Sequence, residues 1–182
     1  MTEKDILLHI CCAPCSLYCI KTLREEGMSI HGFWYNPNIH PYTEYMKRYE
    51  EVIRYMSSES LPLVSHDDYA LEDFLRKTAY HETERCIACY DMRMEETARY
   101  AKEAGFRAFT SSLLYSKFQN HDLIRIAGEQ AAERFGIQFY YRDFREGWRY
   151  GVDTSKSMSM YRQQYCGCIY SEKDRYIPKE KR

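Results

Sequence analysis

Seven of the eight cysteines in this 182-residue sequence fall into three short groups that long stretches of chain separate. Thiolate sulfur is a ligand for zinc and for iron–sulfur clusters, so grouped cysteines indicate a metal or redox site. The groups are Cys11 and Cys12 with Cys15, Cys86 with Cys89, and Cys166 with Cys168. The sequence therefore predicts that cysteines from the beginning, middle and end of the chain meet when the protein folds.

The spacing inside each group has a geometric meaning. Cys86 and Cys89 lie three residues apart at the predicted start of a helix, so both thiols can point the same way. The helix N-terminus also favours the thiolate, which is the form that binds metal. Cys166 and Cys168 face one side of an extended segment, and Gly167 between them allows the backbone to approach a bulky cluster.

The spacing of the cysteines alone is compatible with three kinds of site. A structural zinc ion takes four ligands and would account for four of these cysteines. The additional cysteines, among them the adjacent Cys11 and Cys12, favour an iron–sulfur centre, with one of that pair free to bind a second metal or touch substrate. Dithiol redox chemistry or simple packing is the third reading. Cys19 stands apart on the apolar side of a predicted helix and is expected to be a core residue.

Several polar side chains are candidates for substrate contacts. Tyr115, Ser116 and Gln119 follow a predicted strand, although loop turning and helix capping would explain them equally well. Arg162 precedes the last cysteine pair and could neutralise phosphate or cluster charge, or form a surface salt bridge. Tyr165 directly precedes Cys166 and is a candidate proton donor.

Strands and helices alternate along the sequence, and this order positions the candidate residues. Apolar runs predict strands, helical spacing of apolar residues predicts helices, and Ser16 is expected to cap the first helix. One helix is expected to bury a stripe that includes Ile87, Tyr90 and Met94. The predicted strands are 5–10, 29–35, 61–65, 106–112 and 137–142, and the predicted helices after the first are 42–56, 68–77, 86–103, 120–135 and 156–164.

This alternation is typical of an α/β protein with a mainly parallel sheet and helices on both faces. Ligands of such sheets bind outside the carboxyl ends of the strands, and the loop at Cys11–Ser16 follows the first strand. We assign residues 1–182 to one domain, in which 143–182 form a basic C-terminal segment that closes the cysteine site. Residues 142–182 carry ten Lys and Arg against six Asp and Glu, which favours contact with a polyanion such as RNA, or a solvated surface.

The composition bounds the cellular setting. No apolar run approaches the roughly 20 residues that cross a bilayer, and the N-terminal residues do not resemble a signal peptide. A cytoplasmic protein without membrane contact is therefore expected, and its cysteines are not expected to form structural disulfides. No Gly-rich phosphate loop follows the first strand.

The chain resembles the cobalamin-independent epoxyqueuosine reductase family known as QueH. The resemblance covers nearly the whole chain, because the matching motifs run from near the N-terminus to residue 168. They are His9-Ile-Cys-Cys-Ala-Pro14, Tyr35-Asn-Pro-Asn-Ile-His-Pro41, Arg85-Cys-Ile-Ala-Cys-Tyr-Asp-Met-Arg93, Thr110-Ser-Ser-Leu-Leu114 and Tyr161-Arg-Gln-Gln-Tyr-Cys-Gly-Cys168. The chain departs from the family pattern at Ser157, where a Glu is expected.

The resemblance implies a Rossmann-like fold of the nucleotide α-hydrolase (HUP) type and a [4Fe–4S] cluster with an additional iron ion beside it. Cys15 is a further ligand candidate, since an Asp also occurs at this position in the family. The implied metal ligands are Cys11, Cys12, Cys86, Cys89, Cys166 and Cys168.

The implied reaction is the two-electron removal of the epoxide oxygen of epoxyqueuosine in tRNA. Its partners would be the anticodon arm of the tRNA and an electron donor of unknown identity. The predicted catalytic residues are Cys12, Cys15 and Tyr165, and the predicted substrate contacts are Tyr115, Ser116, Gln119 and Arg162. The alternatives are a zinc-stabilised RNA-binding module and a nucleotide-dependent tRNA-modifying enzyme of the same fold.

Overall fold

The computed structural model describes residues 5–66 and 69–178. Five strands form one sheet in the order β3-β2-β1-β4-β5, and every neighbouring pair is parallel. This confirms the predicted α/β class with a parallel sheet. The strands are β1 (Ile6–His9), β2 (Ile30–Trp34), β3 (Leu63–Ser65), β4 (Ala108–Ser111) and β5 (Gln138–Phe139).

Seven α-helices lie between and after the strands in the part of the chain that the structure describes. They are α1 (Ala13–Glu25), α2 (Tyr42–Ser58), α3 (Leu71–Thr78), α4 (Arg85–Glu103), α5 (His121–Phe135), α6 (Trp148–Ser157) and α7 (Ile169–Tyr176). Helix α1 packs against α2 and α6, whereas α4 packs against α5 and α3. The chain runs from β1 outwards to β3 and then returns to β4 on the other side of β1. Because crossovers between parallel strands are right-handed, the helices of the outward and the return path cover opposite faces of the sheet.

The central strand β1 is buried along its whole length between the two helical layers. Ile6 of β1 is in register with Ile30 of β2 on one side and with Ala108 of β4 on the other. The strand order therefore reverses at β1 and β4, and the carboxyl ends of these two strands border one crevice. Such a topological switch point is where open parallel sheets bind ligands.

The structure corrects several local predictions. Cys12, not Ser16, caps α1: its sulfur accepts a hydrogen bond from the backbone N–H of Cys15, while Ser16 lies inside the helix. Ile87 is 43 % exposed and does not belong to the buried stripe of α4. The predicted last strand, 137–142, is reduced to two residues, and the start of the predicted helix 68–77 lies outside the described residues.

The predicted helix 156–164 is wrong. Helix α6 begins at Trp148 and ends at Ser157, and Ser159 has a left-handed backbone with φ 51° that stops it. Residues 161–164 are not helical, which leaves them free to cross the cysteine site. Helix α7 was not predicted.

Candidate metal centre and substrate cavity

Seven cysteines gather at the carboxyl edge of the sheet, in two neighbouring groups rather than one. The triad is Cys11, Cys12 and Cys15, in the turn from β1 into α1. The quartet is Cys86, Cys89, Cys166 and Cys168.

Three helix N-termini carry these cysteines. The sulfurs of Cys12 and Cys168 cap α1 and α7, and Cys86 lies in the first turn of α4. Helix N-termini stabilise negative charge, but burial opposes this effect at most of these cysteines and raises the pKa of Cys86, Cys89 and Cys166.

The triad is compact and buried. Its three sulfur atoms all lie within 4.8 Å of one another, a spacing at which one metal ion can contact all three. The Ser112 hydroxyl at the end of β4 donates to Cys11 Sγ at 3.3 Å, and Gln163 Nε2 donates to Cys12 Sγ at 3.1 Å. The triad is therefore held from β1, from β4 and from the C-terminal segment.

The three thiols of the triad differ in acidity. Hydrogen bonds from Cys12 and Cys15 hold the pKa of Cys11 well below its ordinary value. Burial raises the pKa of Cys12, and hydrogen bonds with the neighbouring thiols raise that of Cys15. Cys11 is therefore the triad thiol that loses its proton most readily, and a bound cation would favour loss of the other two protons.

The quartet joins α4 to the C-terminal segment. Cys89 and Cys168 are buried and share a small cluster with Phe74, whereas Cys86 and Cys166 are exposed. Burial, together with the nearby sulfurs of the other three quartet members, raises the pKa of Cys89 to about 12, although Arg93 acts in the opposite direction. Four is the number of cysteine ligands of an iron–sulfur cluster and also of a structural zinc ion. Among the described residues only the triad has three sulfurs within 4.8 Å of one another, so the quartet is the more widely spaced group.

Arg93 is the buried cation between the two groups. Its Nη2 donates to Cys89 Sγ at 2.9 Å and its Nε to the Cys89 carbonyl at 3.1 Å. The side chain is 2 % exposed, and among the described residues no carboxylate lies within ion-pair distance of it. Sulfurs of Cys89, Cys166 and Cys11 hold its pKa up against burial. A buried guanidinium needs an anion, and here the anions are thiolates or a negatively charged metal group.

Arg48 of α2 clamps the last cysteine pair in place. It is buried, forms an ion pair with Glu44 at 2.7 Å, and donates to the carbonyls of Cys166 at 2.8 Å and Tyr165 at 3.1 Å. The sequence reasoning missed this residue, because a charged residue on an amphipathic helix is ordinarily on the solvent side. The only signal available was its unusual place on the otherwise apolar face at Tyr45 and Val52.

A cavity of ≈ 460 Å³ opens beside the cysteines. Its walls include Cys11 and Cys15 of the triad and Cys166 of the quartet. Pockets for drug-sized ligands commonly have volumes of about 300–1,000 Å³, so the cavity has room for a modified nucleobase. Both cysteine groups therefore border the same space.

All four predicted substrate contacts line this cavity. Gln119 donates to Cys166 Sγ at 3.0 Å and accepts from Tyr90, so it orients a quartet member. The Tyr115 hydroxyl donates to the Trp148 carbonyl, and Ser116 Oγ accepts from a backbone N–H in its own turn. Arg162 is exposed at the cavity.

The three predicted catalytic residues occupy different positions. Cys15 and Tyr165 line the cavity, whereas Cys12 lies behind it. The Tyr165 hydroxyl donates to the carbonyl of His40, and burial raises the pKa of Tyr165 to about 12.

Two further residues near the site are structural, and for Cys19 this is the role that the sequence suggested. Cys19 is fully buried in the core, and its thiol donates to the Cys15 carbonyl at 3.4 Å. His9 is also buried, and its ring contacts the Ser111 hydroxyl and the Tyr35 carbonyl.

Much of the positive charge of the C-terminal segment is locally neutralised. Arg142 pairs with Glu146, and Arg145 pairs with Asp143. Three cations near the cavity differ, because in the described part of the chain no carboxylate lies within 4 Å of them. They are Lys117, Arg162 and Arg175. These unpaired charges remain available for phosphate groups.

No helix among the described residues is long and apolar enough to cross a membrane.

Comparison with known proteins gives one consistent result. A family model described as epoxyqueuosine reductase QueH matches residues 6–174. Among similar proteins of that name, the one from Dehalococcoides mccartyi is 36% identical over 94% of this chain and 94% of its own length. Those from Acinetobacter baylyi and Thermotoga maritima are 39% and 35% identical, over 93% and 91% of this chain and 81% and 89% of their own lengths.

A solved structure supports the fold assignment. It is described as a predicted subunit of a tRNA methyltransferase from Methanocaldococcus jannaschii, and it matches with a TM-score of 0.54 and 11% sequence identity. The match covers 84% of this chain and 76% of that one. At this identity the likeness shows a shared Rossmann-like fold.

Proposed function

The chain belongs to the epoxyqueuosine reductase QueH family, and from this premise we propose how its cysteine-lined cavity performs the reaction. The protein is an oxidoreductase of tRNA modification that converts epoxyqueuosine to queuosine. One observation carries the assignment of the site: cysteines from both groups line a single cavity large enough for the modified base.

The reaction has a simple balance. Both carbon–oxygen bonds of the epoxide break, a carbon–carbon double bond forms, and the oxygen leaves as water. Two electrons and two protons are consumed. The electrons come from an external donor, so the site must connect the protein surface with the cavity.

We propose that the quartet holds a [4Fe–4S] cluster and the triad holds the additional iron ion. Four cysteines on two helix N-termini fit the usual ligand set of the cluster. Three sulfurs within 4.8 Å of one another fit a single ion that keeps a position open towards the cavity. When bound, the cluster would supply one-electron transfer and the ion would supply Lewis acidity at the epoxide oxygen.

The protein's own residues hold and tune this centre. Arg93 and Gln119 donate to quartet sulfurs, and hydrogen bonds to such sulfurs raise the reduction potential of a cluster. Gln163 donates to Cys12 Sγ and ties the C-terminal segment across the triad. This supports the proposal that residues 143–182 close the site.

Two residues are candidates for the proton that the leaving oxygen needs. Cys15 and Tyr165 line the cavity, whereas Cys12 does not. Tyr165 would keep its proton whether or not the ion is bound, whereas Cys15 could be the donor only in a state in which its sulfur is a protonated thiol and not a ligand of the ion. Tyr165→Phe separates them: with Tyr165 as the donor kcat falls at least tenfold, and with Cys15 as the donor kcat changes little.

The partner is tRNA, and the cations beside the cavity support this proposal. Lys117, Arg162 and Arg175 can bind phosphates of the anticodon arm, while the modified base leaves its stack and enters the cavity. The electron donor approaches from the exposed cysteines of the quartet, Cys86 and Cys166. We place the protein in the cytoplasm with its substrate.

The two alternative functions make different predictions. A zinc-stabilised RNA-binding module would yield a colourless protein with zinc and no reductase activity. A nucleotide-dependent enzyme would need a phosphate-binding loop after β1, where this chain has Cys11-Cys12-Ala13-Pro14.

The test is anaerobic reconstitution followed by assay with epoxyqueuosine tRNA and nucleoside mass spectrometry. We expect a brown protein that binds both iron and sulfide and forms queuosine. Persistence of the epoxide with a full cluster and a strong reductant would refute the reaction.

Variants test the division of ligands. Cys89→Ala should lose the visible absorption of the cluster, whereas Cys12→Ala should keep it and lose one iron per chain with the activity. Cys19→Ala is the matched control, since it removes a buried cysteine outside both groups. Loss of the cluster absorption in Cys12→Ala would contradict the division.

A further inference from the structure

Phe118 is a large apolar side chain that the fold leaves 86 % exposed, and it stands in the wall of the substrate cavity. It belongs to the turn after β4, between the buried Ser116 and the half-buried Gln119. Exposed aromatic rings beside a cavity are characteristic of binding surfaces, because exposure of this kind brings no folding stability. Its exposure is unexplained by the metal centre.

One aromatic neighbour supports this ring. Phe118 and Trp148 meet in a T-shaped contact with a centroid distance of 5.4 Å and an interplanar angle of 77°. Tyr115 stacks on Trp148 at 5.3 Å and 22°, and Lys117 Nζ lies 5.7 Å from the same indole ring. The indole thus has three recorded neighbours, whereas Phe118 contacts one ring and keeps most of its surface open.

Two cations are associated with the open ring. Lys117 adjoins Phe118 in the chain, and Arg162 lines the same cavity. Neither cation has a carboxylate within 4 Å among the described residues. An exposed aromatic ring flanked by unpaired cations matches the way proteins bind unpaired nucleotides, with stacking on the base and ion pairs to the phosphates.

We propose that Phe118 is the stacking platform for the base of the modified nucleotide while its epoxide ring reaches the triad. This inference rests on the proposed function. Cys11 and Cys15 line the same cavity as Phe118 and Trp148. A base joined by a short arm to its epoxide ring can contact both pairs at once, and an RNA backbone at the rim meets the cations.

Phe118→Ala tests the proposal without threatening the fold, because the ring is almost wholly in solvent. The assay titrates the reconstituted full-length protein with anticodon-arm hairpins and follows the fluorescence of Trp148. The other tryptophan, Trp34, is buried and hydrogen-bonded to Tyr45, so it serves as a constant background. One hairpin carries guanine at the modified position, and the other carries an abasic nucleotide there.

The expected result is a coupling between the ring and the base. Base–aromatic stacking is worth about a ten- to hundredfold change in affinity, so Phe118→Ala should weaken binding of the guanine hairpin by that factor. The abasic hairpin should bind the wild type and the variant within twofold of each other. Phe118→Tyr should restore binding, and Ile126→Ala, which removes an exposed apolar group from the outer face of α5, should change nothing.

An equal loss for both hairpins would overturn the proposal, since Phe118 would then contact another part of the RNA, and so would the absence of any loss. Kinetics give a second readout: KM for epoxyqueuosine RNA should rise in Phe118→Ala while kcat stays within twofold. Failure of the wild type to reduce the epoxide would refute the proposed function instead, and the hairpin comparison would still decide the role of Phe118.

Discussion

Gly167, between the last two cysteines, is the position where a single added methyl group should separate folding from metal binding. Its backbone has φ 152°, a conformation that residues with a side chain rarely adopt. Gly167→Ala keeps all seven site cysteines and tests whether the backbone between Cys166 and Cys168 must have this shape.

Two costs follow from the structure. The disallowed backbone conformation costs about 1–3 kcal/mol. An added Cβ would also lie 3.0 Å from Asn38 Nδ2 and 3.4 Å from Arg48 Nη1. Arg48 cannot easily retreat, because Nη1 already donates to the Cys166 carbonyl at 2.8 Å. Together the strain and crowding should destabilise the protein by about 2–4 kcal/mol, which lowers Tm by roughly 5–15 °C in a chain of this size.

Gly105→Ala is the matched control. Gly105 follows α4 with φ 77°, and a Cβ there would meet no atom within 4 Å apart from its chain neighbours. The left-handed backbone alone should cost about 1–2 kcal/mol, so Tm should fall by roughly 2–8 °C. Iron binding should be unaffected, since Gly105 lies at the other end of α4 from the quartet.

The measurements are thermal unfolding of the metal-free protein by circular dichroism and iron and sulfide per chain after anaerobic reconstitution. Gly167→Ala should lose more stability than Gly105→Ala and should also lose most of the cluster. If the two variants matched in Tm and in iron content, the reasoning about the backbone of the last cysteine pair would be wrong.

Three further outcomes are expected. Arg48→Met breaks a buried ion pair, so it should lower the free energy of unfolding in urea by about 3–5 kcal/mol and release the last cysteine pair. Arg54→Met on the same helix is the control and should lower it by less than about 1 kcal/mol. Gly151→Ala should lower stability by about 1–3 kcal/mol and shift the fluorescence emission of Trp148, because its Cβ would lie 2.2 Å from the Tyr115 hydroxyl. An unchanged emission spectrum would contradict the close contact between Gly151 and Tyr115. Asp143→Ala should cost about 1 kcal/mol at neutral pH, because the carboxylate caps the turn that follows it. The Arg145 hydrogen bond lowers the pKa of Asp143 to about 2, so this contribution should persist above about pH 4 and fade as pH falls towards 2; a constant difference between the two proteins over that range in urea titrations would argue against it.

Local signals identified most elements and misplaced those that depend on distant contacts. The apolar run of β1 and the periodicity of α2 and α5 decide their structure locally, so these elements were predicted. The segment after Ser157 has helix-compatible composition, yet it is not helical, because Gln163 must reach the triad. Tertiary contacts overrode propensity there.

The burial of individual side chains was harder to predict from the sequence than the fold class. Ile87 is apolar and helical, but it is exposed, and Arg48 is charged but buried. In both cases the burial of the side chain depends on which residues pack against that face of the helix. For Arg48 this is the carbonyl of Cys166, which is 118 residues away in the sequence.

The sequence by itself determined the family, the parallel α/β class and the identity of the cysteines, because these depend only on residue types and on their spacing along the chain. Only the tertiary structure divided the cysteines into a triad and a quartet, placed Arg93 between them and left Phe118 open at the cavity. These features arise where β1, β4 and three helix N-termini meet, and the order of the strands in the sheet brings these segments together. Residue types and their spacing along the chain specify which side chains are available for chemistry. The order of the strands in the sheet specifies which of these side chains lie in the same site.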